Sequence, residues 1–188
     1  MTRFKIDVDK LCIERKEKMI REATKEDLMD ILDIYNDAIL NTTVVYTYKP
    51  ETLEDRAVWY NQKLDQGYPI LVCEQDNRVV GFASFGPFRA WPAYKYSIEH
   101  SIYVNRKYRR RGIGASLLKE LITIATEKGY MTLIGGIEAT NEKSIIMHKN
   151  FGFTHSGTIE KAGFKFNRWL DLAFYQLLLN GPENPIED

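Results

Sequence analysis

Segments of helical period alternate with short β-branched or aromatic runs along most of this chain, and that alternation predicts a single α/β domain. Two further observations support it. The 188 residues are 44% hydrophobic, enough for one sizeable core. No linker composition, internal repeat or low-complexity tract divides the chain.

The elements follow in order. Residues 1–18 are charged, with a short alternating piece at Phe4, Ile6 and Val8, and read as an N-terminal extension. An extra strand, a partner arm and a partly disordered tail are all compatible with it. The domain proper runs over residues 19–188. Ile20 to Ala23 forms a first short strand. Thr24 and Asp27 stand at capping-box spacing, and Leu28, Ile31, Leu32, Tyr35, Ala38 and Ile39 mark an amphipathic helix. After the polar loop Asn41–Pro50, a second helix spans Leu53 to Gln66 and stops at Gly67. Ile70–Glu74 and Val79–Phe85 form a hairpin around Gln75-Asp76-Asn77-Arg78. Tyr96 to Val104 is a central strand. Leu117, Leu118, Leu121, Ile122 and Ala125 mark a helix ending near Gly129, and Met131–Ile137 is a buried-type strand despite Gly135-Gly136. Thr140 or Asn141 caps a further helix that Gly152 ends. Phe153–Ile159 and Trp169–Leu179 are the last strands, joined by a loop bearing Gly163.

Composition removes several function classes. Twenty-six basic and twenty-six acidic residues balance, so no strong nonspecific attraction to nucleic acid or an anionic membrane is expected. Cys12 and Cys73 have no framework or metal spacing, which fits a reduced cytoplasmic setting. The three histidines show no ligand spacing, so no metal is implied. No apolar run reaches a membrane span, and charges interrupt any signal-peptide core at the N-terminus.

The chemistry centres on Tyr96 to Lys119. A strand is followed by a basic segment, then Gly112-Ile113-Gly114, then a helix start at Ala115. A glycine turn between strand and helix leaves N–H groups unpaired at the helix N-terminus, which suits a pyrophosphate. Arg109 to Gly114 has the pattern R-x-x-G-x-G, which is neither a Walker loop nor a dinucleotide fingerprint. By itself it also fits a plain glycine turn, and the run Arg106–Arg111 also fits a solvated loop or a nucleic-acid patch. Glu99 is an unusual residue inside an otherwise apolar strand, either a base or a carboxylate paired with an arginine such as Arg89.

The order of these parts, with Asn141 and Phe151-Gly152-Phe153 downstream, resembles the GNAT acyl-CoA-dependent N-acyltransferases. The segments Glu99–Val104, Ile137–Asn141, Met147–Phe153 and Gly163–Asp171 resemble the phosphinothricin/methionine sulfoximine N-acetyltransferase branch. The likeness spans about Met19 to Leu178, and the N-terminal extension departs from it. It implies a mixed, twisted sheet flanked by helices, with the Tyr96–Val104 and Met131–Ile137 strands splaying around acetyl-CoA as co-substrate. Ile102, Tyr103 and Val104 would offer backbone groups to the pantetheine arm, with a bulge aiming one N–H at the thioester carbonyl. Arg109, Arg110, Arg111, Gly112, Ile113, Gly114 and Ala115 would hold the pyrophosphate, and Asn141 and Asn150 would add cofactor contacts.

Under this resemblance Glu99 is the general base that frees the amine of its proton, directly or through water. His148 stands where many relatives carry a tyrosine and would protonate the leaving thiolate; a packed or capping histidine is the other reading. His100 adjoins Glu99 and points to the other face if the strand alternates. The likeness puts the Asn41–Lys49 loop and the Phe85–Tyr94 segment over the acceptor amine. Arg89 would clamp a carboxylate, Tyr46, Phe88 and Trp91 would wall the side chain, and Glu99, His100 and Ser101 complete the substrate set. A homodimer is expected from relatives. The competing functions are a protein or peptide N-acetyltransferase, a noncatalytic acyl-CoA sensor and an RNA-binding module.

Overall fold

The computed structural model describes residues 18–187. The extension read over residues 1–18 lies outside them except for Lys18, as does Cys12. The order of elements is β1 (Met19–Glu22), α1 (Leu28–Asn41), α2 (Leu53–Asp65), β2 (Ile70–Gln75), β3 (Arg78–Pro87), β4 (Ser97–Val104), α3 (Ile113–Glu127), β5 (Thr132–Glu138), α4 (Glu142–Asn150), β6 (Thr154–Lys165) and β7 (Arg168–Leu178). The strands form one seven-stranded sheet in the order β1-β2-β3-β4-β5-β7-β6. Every pairing is antiparallel except β4 with β5.

Local chemistry sets the helix starts. Asp27 accepts from the Thr24 N–H at 2.7 Å, as the capping-box spacing predicts, and Arg21 holds the same carboxylate through two nitrogens at 2.7 and 2.9 Å. Thr52 and Asp55 form a second capping box at the start of α2. In the β2–β3 hairpin Asp76 and Asn77 both take φ 57°, the left-handed pair that a two-residue hairpin turn needs.

The two faces of the sheet pack separately. Ile31 and Ile34 of α1 and Tyr60 of α2 meet Ile70, Val72, Val79 and Phe82 on one face. Ile113, Leu117, Leu118, Leu121 and Ala125 of α3 meet Leu71, Ala83, Phe85, Ile98 and Leu133 on the other. Alternation along the strands distributes the side chains this way.

Two expectations change. Helix α3 begins at Ile113, which is buried, so Gly114 lies inside the first turn. And β6 continues to Lys165, with its turn at Phe166-Asn167 (φ 51° and 56°). Gly163 is not a loop residue; it pairs with Leu170. A Cβ there would fall 2.7 Å from Cδ2 of Tyr46, so glycine is required by the ring lying on the strand.

Candidate active site

Strands β4 and β5 stay paired only from Ser97 opposite Thr132 to His100 opposite Gly135. Beyond that β5 follows β7, and a gap opens beside Ser101 to Val104. The β4 backbone can be oriented from its ends. Phe88 N–H donates to Ser97 O at 3.1 Å, and Asn105 N–H donates to Val80 O at 2.9 Å, so the odd-numbered residues turn toward β3. The β3–β4 ladder is in continuous register between them, so the alternation holds throughout. Ile102 and Val104 therefore direct their backbone groups into the gap. Val104 O accepts from Arg109 Nε at 3.2 Å. Tyr103 is different from the expectation. Its backbone lies on the β3 side, and its ring packs 5.0 Å from Phe82. The expected bulge is absent from this ladder. The divergence of two strands, rather than an extra residue in one, is what frees the backbone.

At the end of β4 the chain turns through Arg110 (φ 63°) and Gly112 (φ 75°) into α3. Among the described residues no side chain caps α3, which leaves its first-turn N–H groups available to an anion. The Arg111 guanidinium lies 5.1 Å over Tyr108, and the Lys18 ammonium donates to Ser116 Oγ at 2.8 Å. Arg109, Arg110 and Arg111 are exposed around this turn, and Ala115 lies in the first turn of the helix.

On the α1/α2 face Glu99, Ser101 and Tyr103 line a cavity of about 500 Å³, together with Tyr46, Lys63, Ser84, Gly136 and Glu138 among others. The Glu99 carboxylate leans over β5, where a Cβ on Gly136 would sit 2.8 Å from Glu99 Oε1. Burial pushes the Glu99 carboxyl up, and the Arg89 charge opposes it. A raised carboxyl suits proton abstraction more than a permanent ion pair does. Arg89 forms no ion pair with it among the described residues; its guanidinium stacks 4.1 Å over Phe88 and donates to Phe88 O.

The opposite face of the same strands holds two imidazoles. His100 stacks on His148 with ring centroids 5.0 Å apart, and a Cβ on Gly135 would fall 3.0 Å from His100 Nε2. His148 Nδ1 lies 2.7 Å from Ser144 O, a pure acceptor, which assigns the proton to Nδ1. His148 Nε2, 3.1 Å from His100 Nε2, is then the acceptor of that pair, and His100 Nδ1 is left without a partner among the described residues. Burial pulls His100 down to about 3, with His148 adding to the shift, and burial lowers His148 as well. Both rings are neutral near pH 7. His148 is 3% exposed and its one proton points at a helix carbonyl, so it presents none to the gap. The thiolate-protonating role expected of it lacks a donor in this arrangement. His100 is among the residues lining the larger cavity, but its ring turns away from Glu99 onto His148, as strand alternation requires.

The remaining expected residues are dispersed. Asn141 Oδ1 caps α4 by accepting from Ser144 N–H at 3.3 Å, and Asn150 is an exposed last residue of that helix. Tyr46 reaches across to Asp171 O at 3.4 Å. Phe88 packs edge-on to Phe174, while Trp91 is 73% exposed and lines, with Arg89, a separate cavity of about 210 Å³. Two charged residues of the larger cavity carried no expectation. Glu138 was legible only as part of a segment, and its buried Oε2 accepts from Thr140 Oγ1 at 2.6 Å. Lys63 gave no signal at all, because a lysine on a polar helix reads as solvated.

Residues 29–153 match the acetyltransferase (GNAT) family. The chain belongs to that family. It is 40% identical over 161 residues to the L-methionine sulfoximine/L-methionine sulfone acetyltransferase of Salmonella typhimurium strain LT2, covering 86% of this chain and 94% of the relative. A crystal structure of an N-acetyltransferase from Staphylococcus aureus Mu50 is 56% identical with a TM-score of 0.85, over 86% of this chain and 98% of that one. A phosphinothricin acetyltransferase of the GNAT superfamily from Sinorhizobium meliloti, solved with acetyl-CoA, is 34% identical with a TM-score of 0.86, over 89% and 92% of the two chains. This GNAT chain is an acyltransferase, and acetyl-CoA is its co-substrate. The residues present fit that molecule. An uncapped helix start ringed by cations would suit its phosphates, and the open backbone of Ile102 and Val104 lines a gap beside the strand that carries Glu99.

Proposed function

We propose that this GNAT enzyme acetylates the α-amine of a small amino-acid-like acceptor of the methionine sulfoximine, methionine sulfone or phosphinothricin type. The observation that carries the reading is the half-buried Glu99 carboxylate, set in an open cavity of about 500 Å³ at the fork between β4 and β5. Acetyl-CoA supplies the activated acyl group. Ile102 and Val104 align the pantetheine arm, and one of their N–H groups is available to the thioester oxygen. The first turn of α3, with Arg109, Arg110 and Arg111, binds the pyrophosphate, and Asn141 and Asn150 border the arm. Glu99 takes the proton of the acceptor ammonium, directly or through water, and so exposes the lone pair that attacks. The thiolate that leaves takes its proton from water, since a thiol near pKa ~8.5 is readily protonated at neutral pH.

Tyr46 and Ser101 border the acceptor, while Phe88, Trp91 and Arg89 stand in the adjoining segment after β3, from which Arg89 would reach its carboxylate. Thiol release on mixing acetyl-CoA with methionine sulfone, methionine sulfoximine, phosphinothricin and short peptides tests the reading. Turnover of the amino-acid-like acceptors is expected. Turnover of peptides alone overturns it. Arg89→Ala should raise KM for the acceptor far more than for acetyl-CoA.

The same reading includes a homodimer in the cytoplasm. The edge strand β6 is exposed for most of its length, and Ile159, Phe164, Phe166 and Trp169 of the β6–β7 hairpin are exposed apolar residues that a second copy would cover. Cys73 is a buried free thiol, in keeping with a reducing compartment. Light scattering that returns a monomer at working concentration would remove the dimer.

A further inference from the structure

We infer that Lys63 is an anion-binding residue of the acceptor cavity in addition to Arg89, its ammonium hydrogen-bonding an oxyanion of the bound acceptor. The inference rests on the proposed acetyl transfer to an amino-acid-like amine and adds a residue that reads the acceptor itself.

Placement comes first. Lys63 projects from α2 across β3, where its Nζ donates to Phe85 O at 2.8 Å. A Cβ built on Gly86 would meet Nζ at 2.5 Å, so the ammonium sits directly on that glycine. Gly86 is the register partner of Glu99 on β4. The Glu99 carboxylate leans the other way, over Gly136 of β5. Cation and base therefore stand on opposite sides of one cavity floor, on the order of two strand spacings, ~10 Å, apart. An acceptor whose amine meets Glu99 at the fork extends away from the thioester, toward Lys63.

The ammonium is also incompletely satisfied. It carries three donors, and the described structure gives it one hydrogen bond, to Phe85 O, and the face of Tyr68 at 5.3 Å. No carboxylate pairs with it among the described residues. Burial lowers its pKa to about 8, the sign of a cation short of solvent and counter-charge. An oxyanion arriving in the cavity supplies both a charge and acceptors for the free N–H groups. Arg89 approaches from the adjoining cavity of about 210 Å³, which shares Pro87 with this one, so the two cations would meet the acceptor from different sides.

The oxyanion has two possible sources, the α-carboxylate and the oxygens of a sulfonyl or phosphinyl tail. Lys63→Met, which keeps a comparable unbranched stem, separates them when kcat/KM is measured for methionine sulfone, its carboxamide and phosphinothricin. Loss of a hydrogen bond to charge should lower kcat/KM for methionine sulfone by about tenfold or more, chiefly through KM. KM for acetyl-CoA should stay within about twofold. A carboxamide that is spared assigns the contact to the α-carboxylate. A carboxamide that loses as much as its parent, with phosphinothricin losing most, assigns it to the tail. Lys63→Arg should recover most of the loss, and Lys63→Gln takes the place of the methionine variant if that one does not fold. The inference is overturned if all three acceptors are unaffected, if KM for acetyl-CoA rises in step, or if Lys63→Arg is as impaired as Lys63→Met. A wild-type enzyme that acetylates none of the three would instead defeat the proposed function and leave the subsite undrawn.

Discussion

At Glu99 the requirements of base chemistry and of strand packing separate cleanly in one substitution. Glutamine keeps the shape over Gly136 but cannot accept a proton. General-base assistance is typically worth about a hundred- to ten-thousandfold. Glu99→Gln should therefore fold and bind acetyl-CoA, while kcat/KM for the amine falls by at least about tenfold at pH 7, water serving as a weaker base. The sign of the pH dependence follows from the burial that raises the carboxyl. The base works only when ionised, so wild-type kcat/KM climbs with pH through a value above the ordinary ~4.3 of glutamate. The deficit of the variant should shrink toward pH ~9.5, as more acceptor arrives already deprotonated. A deficit equal at both pH values would exclude Glu99 as the base.

His148 gives the contrasting case. Its type and its place before Phe151-Gly152-Phe153 were legible, yet its role was not, because a ring's hydrogen-bond partners depend on a strand remote in sequence. Ser144 O and His100 consume both nitrogens. His148→Phe should thus lower stability, leaving His100 Nε2–H without its acceptor, while the catalytic defect is the same for acyl donors with ordinary and acidic leaving thiols. Rescue by the acidic thiol would restore it as the proton donor.

The elements were largely visible from periodicity, and where the reading slipped a glycine was involved. Gly163 looked like punctuation, and it is a clearance for the Tyr46 ring. Gly135-Gly136 looked like a weakness in β5. In the folded chain Gly135 makes room for the imidazole pair on one face, and Gly136 for the Glu99 carboxylate on the other. Neither reason exists within the local sequence; they come from β4, some 35 residues earlier in the chain, and for Gly135 also from His148 of the following helix. Gly136→Ala tests the second. The added methyl must displace Glu99 Oε1, so kcat/KM for the amine should fall severalfold or more while acetyl-CoA affinity, read by tryptophan fluorescence, holds. An alanine variant with full activity would mean that the carboxylate works from another position.

At the scale of the whole molecule the balanced charge and the α/β class were readable from the residues, while the fork between β4 and β5 was implied only by the family resemblance. What composition and spacing do not disclose is how charged side chains from α2, β4 and β5 converge on one cavity, because convergence is a property of the packed sheet.

The short seam between β4 and β5 has a mechanical side. The sheet is two blocks, β1 to β4 and β5 to β7, zipped together along the strands by only the stretch from Ser97 to His100 against Thr132 to Gly135. Hydrogen bonding along the seam stops where the gap begins, so the blocks can breathe about it as covers do about a spine. A co-substrate lying in the gap touches both blocks and splints them. Amide exchange at Ile98 and His100 should slow on adding acetyl-CoA, and the melting temperature should rise with its concentration as binding to the folded state alone requires. Slowing confined to the first turn of α3, with Ile98 and His100 unchanged, would show that the seam bears no strain and that the two blocks already move as one.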